Sequence, residues 1–256
     1  MRPITHYLKA NEQRFIDELV EYLRFPSVSA QSVHKKDMIA CARWLADHGK
    51  SIGLKARVHK TNGHPIVTLA TPRKLSRIRP HFLVYGHYDV QPPEPLELWD
   101  SPPFDPQIRG RNLYARGASD NKGQHFAHIK AVEAYLKTGT ELPCDLTFVV
   151  EGEEEVGGEA LVDFLKQNKR QLKCDGVVVS DTGMPDLKHP ALTYALRGVA
   201  ALEVRLDGPD RDLHSGIYGG SVENPAMALS KLLAQLIDKN GRITVPGFYD
   251  DVAKLS

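Results

Sequence analysis

The chain has 256 residues, with 33 Lys and Arg against 32 Asp and Glu and a formal net charge of +1. That balance excludes a general nucleic-acid binder, which carries a strong basic excess. A content of 41% hydrophobic and 25% charged residues excludes a disordered chain.

From Ala10 to Arg24 the residues Phe15, Ile16, Leu19, Val20 and Leu23 recur at helical spacing, and Phe25-Pro26 ends the run. A second helix is predicted from Asp37 to Lys50, with Met38, Cys41, Ala42 and Leu45 on one face. Asn62-Gly63 marks a turn between strands at Ala56–Lys60 and Ile66–Ala70. Three short apolar runs follow, Phe82–Tyr85, Leu146–Val150 and Val177–Val179, alternating with helices at Lys122–Lys137 and Glu159–Leu172. Buried strands alternating with amphipathic helices predict a doubly wound α/β sheet. The Pro-rich stretch Gln91–Pro106 reads as a rigid loop.

Near Pro190 the character changes. Leu192–Leu196 and Ala200–Leu206 are strand-like, and a helix follows with Asn224 as N-cap and Pro225 at its first position. The expectation is a catalytic α/β domain over 1–189 and an incomplete α+β domain over 190–256. No run of about 18 apolar residues occurs, so no membrane-spanning helix is expected. The amphipathic start, MRPITHYLKANEQRF, has no apolar signal core and predicts a cytoplasmic protein. Cys41, Cys144 and Cys174 form no CxxC pair and are expected as reduced, mostly buried thiols.

Open α/β sheets bind ligands beyond the carboxyl ends of their strands. There the predicted strands end on His87, on Glu154 with Glu155, and on Asp181, and Asp120 precedes a helix. Asp120 alone would suit a helix cap, and the glutamate run alone a solvated loop. Together they offer His, Asp, Glu and Asp at convergent positions.

FLVYGHYDV (Phe82–Val90), ARGASDNKG (Ala115–Gly123), VVEGEEEVGG (Val149–Gly158) and VVVSD (Val177–Asp181) resemble, in order, the motifs of the co-catalytic zinc peptidases. That family includes aminoacylase, glutamate carboxypeptidase and carnosinase-type dipeptidases. LWDSPPFDP (Leu98–Pro106) is most similar to the cytosolic dipeptidase branch. The resemblance implies hydrolysis of dipeptides by two divalent metals, zinc or manganese, with N-acyl-amino-acid deacylation as the close alternative. It implies His87 and Asp181 as ligands of the first metal, Asp120 as the bridge and Glu155 as a ligand of the second. Asp89 would accept a hydrogen bond from the His87 ring, and Glu154 would be the general base. A cis peptide is implied at Asp120-Asn121.

DLHSGIYGG (Asp212–Gly220) resembles the family's lid segment, which implies a homodimer in which His214 reaches across to the substrate carbonyl. His125 and His128 lie outside any motif and are expected in packing or surface roles. The family takes one further metal ligand from a late histidine, whereas His214 is the last histidine here. The expectation is therefore an amino-terminal fragment holding one metal tightly, of doubtful activity. A catalytically inactive partner acting through the lid surface is the competing reading.

Overall fold

The computed structural model describes residues 2–72, 79–186 and 188–253. Helix begins earlier than the apolar spacing predicts, with α1 at Arg2–Ala10 and α2 at Glu12–Leu23. Between them the Asn11 side-chain amide donates to the Tyr7 carbonyl (2.8 Å), so a side chain takes up an orphan acceptor at the end of α1. Helix α3 spans Lys35–Ser51 and buries Met38, Cys41, Ala42 and Leu45, the face its spacing predicts.

Strands β1 (Lys55–His59) and β2 (Ile66–Ala70) form an antiparallel hairpin. Its tip carries Asn62-Gly63, but Gly63 is not among the glycines with positive φ. The glycine is needed there for space, because a Cβ would overlap the Glu153 carboxylate. Strand β3 follows at His81–His87, and β4 (Gln107–Arg109) with β5 (Asn112–Tyr114) makes a small separate hairpin. Helix α4 (Lys122–Thr138), strand β6 (Asp145–Glu151), helix α5 (Glu159–Gln167) and strand β7 (Gly176–Val179) complete the α/β run. Helix α5 stops short of the predicted Leu172, where the Asn168 amide donates back to the Phe164 carbonyl (2.8 Å) and closes the last turn.

The main sheet has the order β1-β2-β6-β3-β7. Strands β6, β3 and β7 are parallel, while β2 pairs antiparallel with β6. Alternate residues serve opposite faces. Val67, Leu69, Val84, Phe148 and Val150 pack against α3 and α4, whereas Ile66, Leu83 and Val149 pack against Phe164 of α5. Burial on both faces explains why these strands read as continuous apolar runs.

Two expectations fail. The sequence of β7 reads as a buried strand, yet Val177 and Val179 are 60% and 55% exposed. It is an edge strand, with a partner on the β3 side alone among the described residues. Leu192–Leu196 and Ala200–Leu206 form no strands. Strand propensity needs a neighbour to supply ladder hydrogen bonds, and none pairs with either segment among the described residues.

The chain divides into two compact units, Met1–Leu192 and Thr193–Ser256. The second contains α6 (Ser215–Tyr218) and α7 (Pro225–Gln235). Asn224 Oδ1 accepts from the backbone N–H groups of Ala226 (3.0 Å) and Met227 (3.3 Å), the N-cap its sequence predicts. Leu232 and Leu233 of α7 are exposed, and none of the described residues of this unit is buried.

Candidate metal centre

The parallel strands deliver their carboxyl ends to one edge of the sheet. His87 is the last residue of β3, Glu154 and Glu155 lie in the 3-10 turn after β6, and Asp181 follows β7 by two residues. Asp120 arrives from the loop before α4, and its peptide bond to Asn121 is cis. The His87 Nε2 lies 3.0 Å from Asp120 Oδ1 and 3.2 Å from Asp181 Oδ2. Ligand atoms of His87, Asp120 and Glu155 lie within 4.8 Å of one another.

Asp89 is fully buried beneath this cluster. The partner of His87 Nδ1 at hydrogen-bond distance is the Asp89 backbone carbonyl (3.0 Å), with the carboxylate slightly further at 3.4 Å. The expected carboxylate acceptor is thus backed by a main-chain one, and both face the same ring nitrogen. The carboxylate also accepts from Ser29 Oγ (2.7 Å) and from the backbone N–H groups of Glu154 (3.3 Å) and Glu155 (3.1 Å). One aspartate therefore ties the ring at the end of β3 to the glutamate turn after β6.

The electrostatics match that crowding. Burial opposes the His87 imidazolium, but Asp89 and then Asp181 outweigh it and push the ring up to about 9. Burial raises the Glu154 carboxyl, with Glu155, Asp181 and Asp89 adding to the rise and His87 opposing it. Burial also raises Glu155, against a hydrogen bond from Gln91 Nε2 to its Oε2 (2.7 Å).

A family model for the peptidases described as Peptidase family M20/M25/M40 matches residues 83–251, which include His87, Asp89, Asp120, Glu154, Glu155 and Asp181. The chain belongs to that family. It is 33% identical to the Cys-Gly metallodipeptidase of Schizosaccharomyces pombe, over 96% of this chain and 54% of that protein. It is 32% identical to the Beta-Ala-His dipeptidase of Homo sapiens, over 100% of this chain and 53% of that protein. Among solved structures it resembles a metallo-carboxypeptidase of Sulfolobus solfataricus at TM-score 0.77 and 34% identity, covering 94% of this chain and 54% of that one. It also resembles the dipeptidase Dug1p of Saccharomyces cerevisiae at TM-score 0.79 and 27% identity, covering 100% of this chain and 56% of that one. The chain spans about half the length of the curated relatives it matches.

The donor set of this chain fits a divalent cation. One imidazole nitrogen faces two carboxylate oxygens at 3.0 and 3.2 Å, and a single N–H serves both poorly. A cation beside this nitrogen would serve the carboxylates better than one proton does. The ligand atoms that all lie close to one another are those of His87, Asp120 and Glu155. A second cluster of ligand types, Glu18, His48 and Glu133, has a different resident. There the Lys130 ammonium sits among the three, at 2.8 Å from Glu133, 2.6 Å from His48 Nε2 and paired with Glu18.

His214 stands in the second unit, where its Nδ1 accepts from the Gly216 N–H (3.0 Å) and caps α6. Sequence reasoning missed the layer beneath the candidate site. His125 is fully buried, its Nδ1 facing Asn121 Oδ1 (3.0 Å) and its Nε2 facing the Tyr22 hydroxyl (3.1 Å). Asn121 Oδ1 also accepts from the His87 N–H (3.2 Å). Lys122 is fully buried and donates to the carbonyls of Tyr22 (3.3 Å) and Phe25 (3.0 Å). His128 reaches Ser180 Oγ (2.5 Å), next to Asp181.

Gly86 permits this layer, since a Cβ there would lie 2.8 Å from both Cβ and Nδ1 of His125. Gly86→Ala is expected to lower stability by about 1–3 kcal/mol through overpacking, as a fall in the urea midpoint. An unchanged midpoint would contradict the close approach of β3 and α4.

Proposed function

We propose that this protein is a metallopeptidase that hydrolyses dipeptides. One observation carries the reading: His87, Asp120 and Asp181 arrive from separate segments with both carboxylates within 3.2 Å of one ring nitrogen. The Cys-Gly and Beta-Ala-His dipeptidases named among its relatives favour a dipeptide substrate. His87, Asp120 and Asp181 would hold one ion, and Asp120 with Glu155 a second, so the first is the tighter. Zinc and manganese both suit mixed imidazole and carboxylate ligation. Such an ion supplies Lewis-acid polarisation of the scissile carbonyl and lowers the pKa of the attacking water.

The protein's own residues do the rest. Asp89 fixes the ring of His87 and holds the glutamate turn. Gln91 engages Glu155 Oε2 and leaves the other oxygen for an ion. Glu154, its carboxyl raised first by burial, accepts a proton from the attacking water and returns it to the leaving amine. For His214 the proposed role is on the substrate carbonyl from a second copy of the chain, with Thr193–Ser256 as lid and homodimerisation surface. The uncovered Leu232 and Leu233 support association there. The proposed location is the cytoplasm, supported by three free cysteines. No helix among the described residues is long and apolar enough to cross a membrane.

The test is hydrolysis of Cys-Gly and β-Ala-His with Mn2+ or Zn2+. Glu154→Gln is expected to reduce turnover by about 100- to 10,000-fold while Mn2+ affinity by calorimetry stays unchanged. A wild-type protein that cleaves neither dipeptide rejects the activity. A variant that loses the ion along with turnover rejects the assignment of Glu154 as base.

A further inference from the structure

Glu153 precedes Glu154 and Glu155 and does two things at once. Its backbone carbonyl accepts from the N–H groups of Val156 (3.2 Å) and Gly158 (2.7 Å), closing the 3-10 turn that carries both glutamates. Its side chain reaches the tip of the β1–β2 hairpin, where Oε1 accepts from the His64 N–H (2.9 Å). That tip is shaped for it. Thr61 Oγ1 donates to the His64 carbonyl (2.7 Å) and accepts from the Gly63 N–H (3.1 Å), and Gly63 leaves the volume that the Glu153 carboxylate fills.

The contact closes a ring. The His64 Nε2 donates to the Ser29 carbonyl (3.3 Å), Ser29 Oγ donates to Asp89 Oδ2 (2.7 Å), and Asp89 accepts from the Glu154 and Glu155 N–H groups. The turn is therefore gripped from two sides, by Asp89 at its own amides and by the hairpin through Glu153. A turn that follows a strand and leads through Gly157 and Gly158, both at positive φ, has little stiffness of its own.

We infer that Glu153, received by Gly63 and His64, is a positioning residue: a clasp that fixes the turn presenting Glu154 and Glu155 to the metal centre. The inference rests on the reading of those two glutamates as site residues. It makes no use of Glu153 as a ligand or a base. It assigns the hairpin tip, remote in sequence from every metal-ligand candidate, a share in the geometry of the site.

The test uses Glu153→Ala, Glu153→Gln, Gly63→Ala and the double variant Gly63→Ala with Glu153→Ala, all in the full chain. Amide hydrogen exchange at Glu154 and Glu155 is read by NMR, and Mn2+ affinity by calorimetry. Loss of a hydrogen bond to a charged acceptor corresponds to roughly a tenfold change or more. Glu153→Ala and Gly63→Ala should each speed exchange at both amides by about tenfold and weaken the second Mn2+ ion, the one Glu155 would ligate, in parallel, while β6 exchange stays unchanged. Glu153→Gln keeps an oxygen for the His64 N–H and should behave close to wild type. Gly63→Ala should add nothing once Glu153 is Ala, because the carboxylate it collides with is gone.

Unchanged exchange in Glu153→Ala, or full additivity in the double variant, overturns the clasp. Faster exchange with the affinity for the second Mn2+ ion intact also overturns it, as the turn would then be ordered by Glu153 without positioning Glu155. Failure of the wild type to bind Mn2+ removes the metal reading instead, and the pattern of amide exchange still decides the clasp.

Discussion

Asp120→Ala is expected to weaken Mn2+ or Zn2+ binding by about 100-fold or more, since a ligand outweighs the supporting contacts whose loss costs 10- to 100-fold. The Asp120 carboxylate lies 3.0 Å from His87 Nε2, and in the proposed site it serves both ions. Its side chain is 63% exposed, so the substitution opens no cavity and leaves the core packed. Loss of metal can then be separated from loss of fold by comparing the titration with the urea midpoint. His87→Ala cannot make this distinction so cleanly, because that ring is fully buried and ties β3 to Asp89. Binding by Asp120→Ala at wild-type affinity would remove Asp120 from the site.

The second large effect is the acid sensitivity that His125 imposes on the first unit. Burial, followed by the nearby His87, lowers the His125 ring to about 3, from an ordinary value near 6.5. The neutral ring is satisfied as it stands, with Nδ1–H donating to Asn121 and Nε2 accepting from Tyr22. The unfolded chain takes up a proton at this residue as pH falls below about 6.5, and the folded chain does not until about 3. The contribution is therefore complete above 6.5 and drains away between 6.5 and 3, at about 1.4 kcal/mol per pH unit for one proton. His48, lowered to about 4 by burial and then by Lys130, acts in the same direction. Glu151, raised to about 7 first by burial, and the raised Glu154 and Glu155 act in the opposite direction over this window. The expected result is therefore a difference: from pH 7 to 5 the wild-type unfolding free energy in urea should fall relative to that of His125→Gln by about one proton's slope. An equal slope in that variant would contradict the assignment.

Much of the sheet was legible because burial on both faces leaves an apolar run. The runs of β3, β6 and β7 lead into the proposed ligands His87, Glu155 and Asp181, whereas Asp120 enters from the loop before α4. Leu83 and Val84 are both apolar because one packs toward α5 and the other toward α4. What stayed hidden depends on neighbours remote in sequence. His125 reads as a residue without a motif, since its partners Tyr22 and Asn121 come from another helix and from the turn before its own. Val177–Val179 reads as a buried strand whether or not a further strand lies beside it. Asn62-Gly63 suggests a tight turn by composition, whereas the glycine answers to Glu153 across the fold.

The central claim is that one divalent ion is held by His87, Asp120 and Asp181. Crystals of the chain grown with Mn2+ or Zn2+ and measured at the metal absorption edge test it directly. The expected result is an anomalous peak about 2.0–2.2 Å from His87 Nε2 and from a carboxylate oxygen of each aspartate. A peak absent from that position, or found instead among Glu18, His48 and Glu133 where Lys130 now sits, would contradict it.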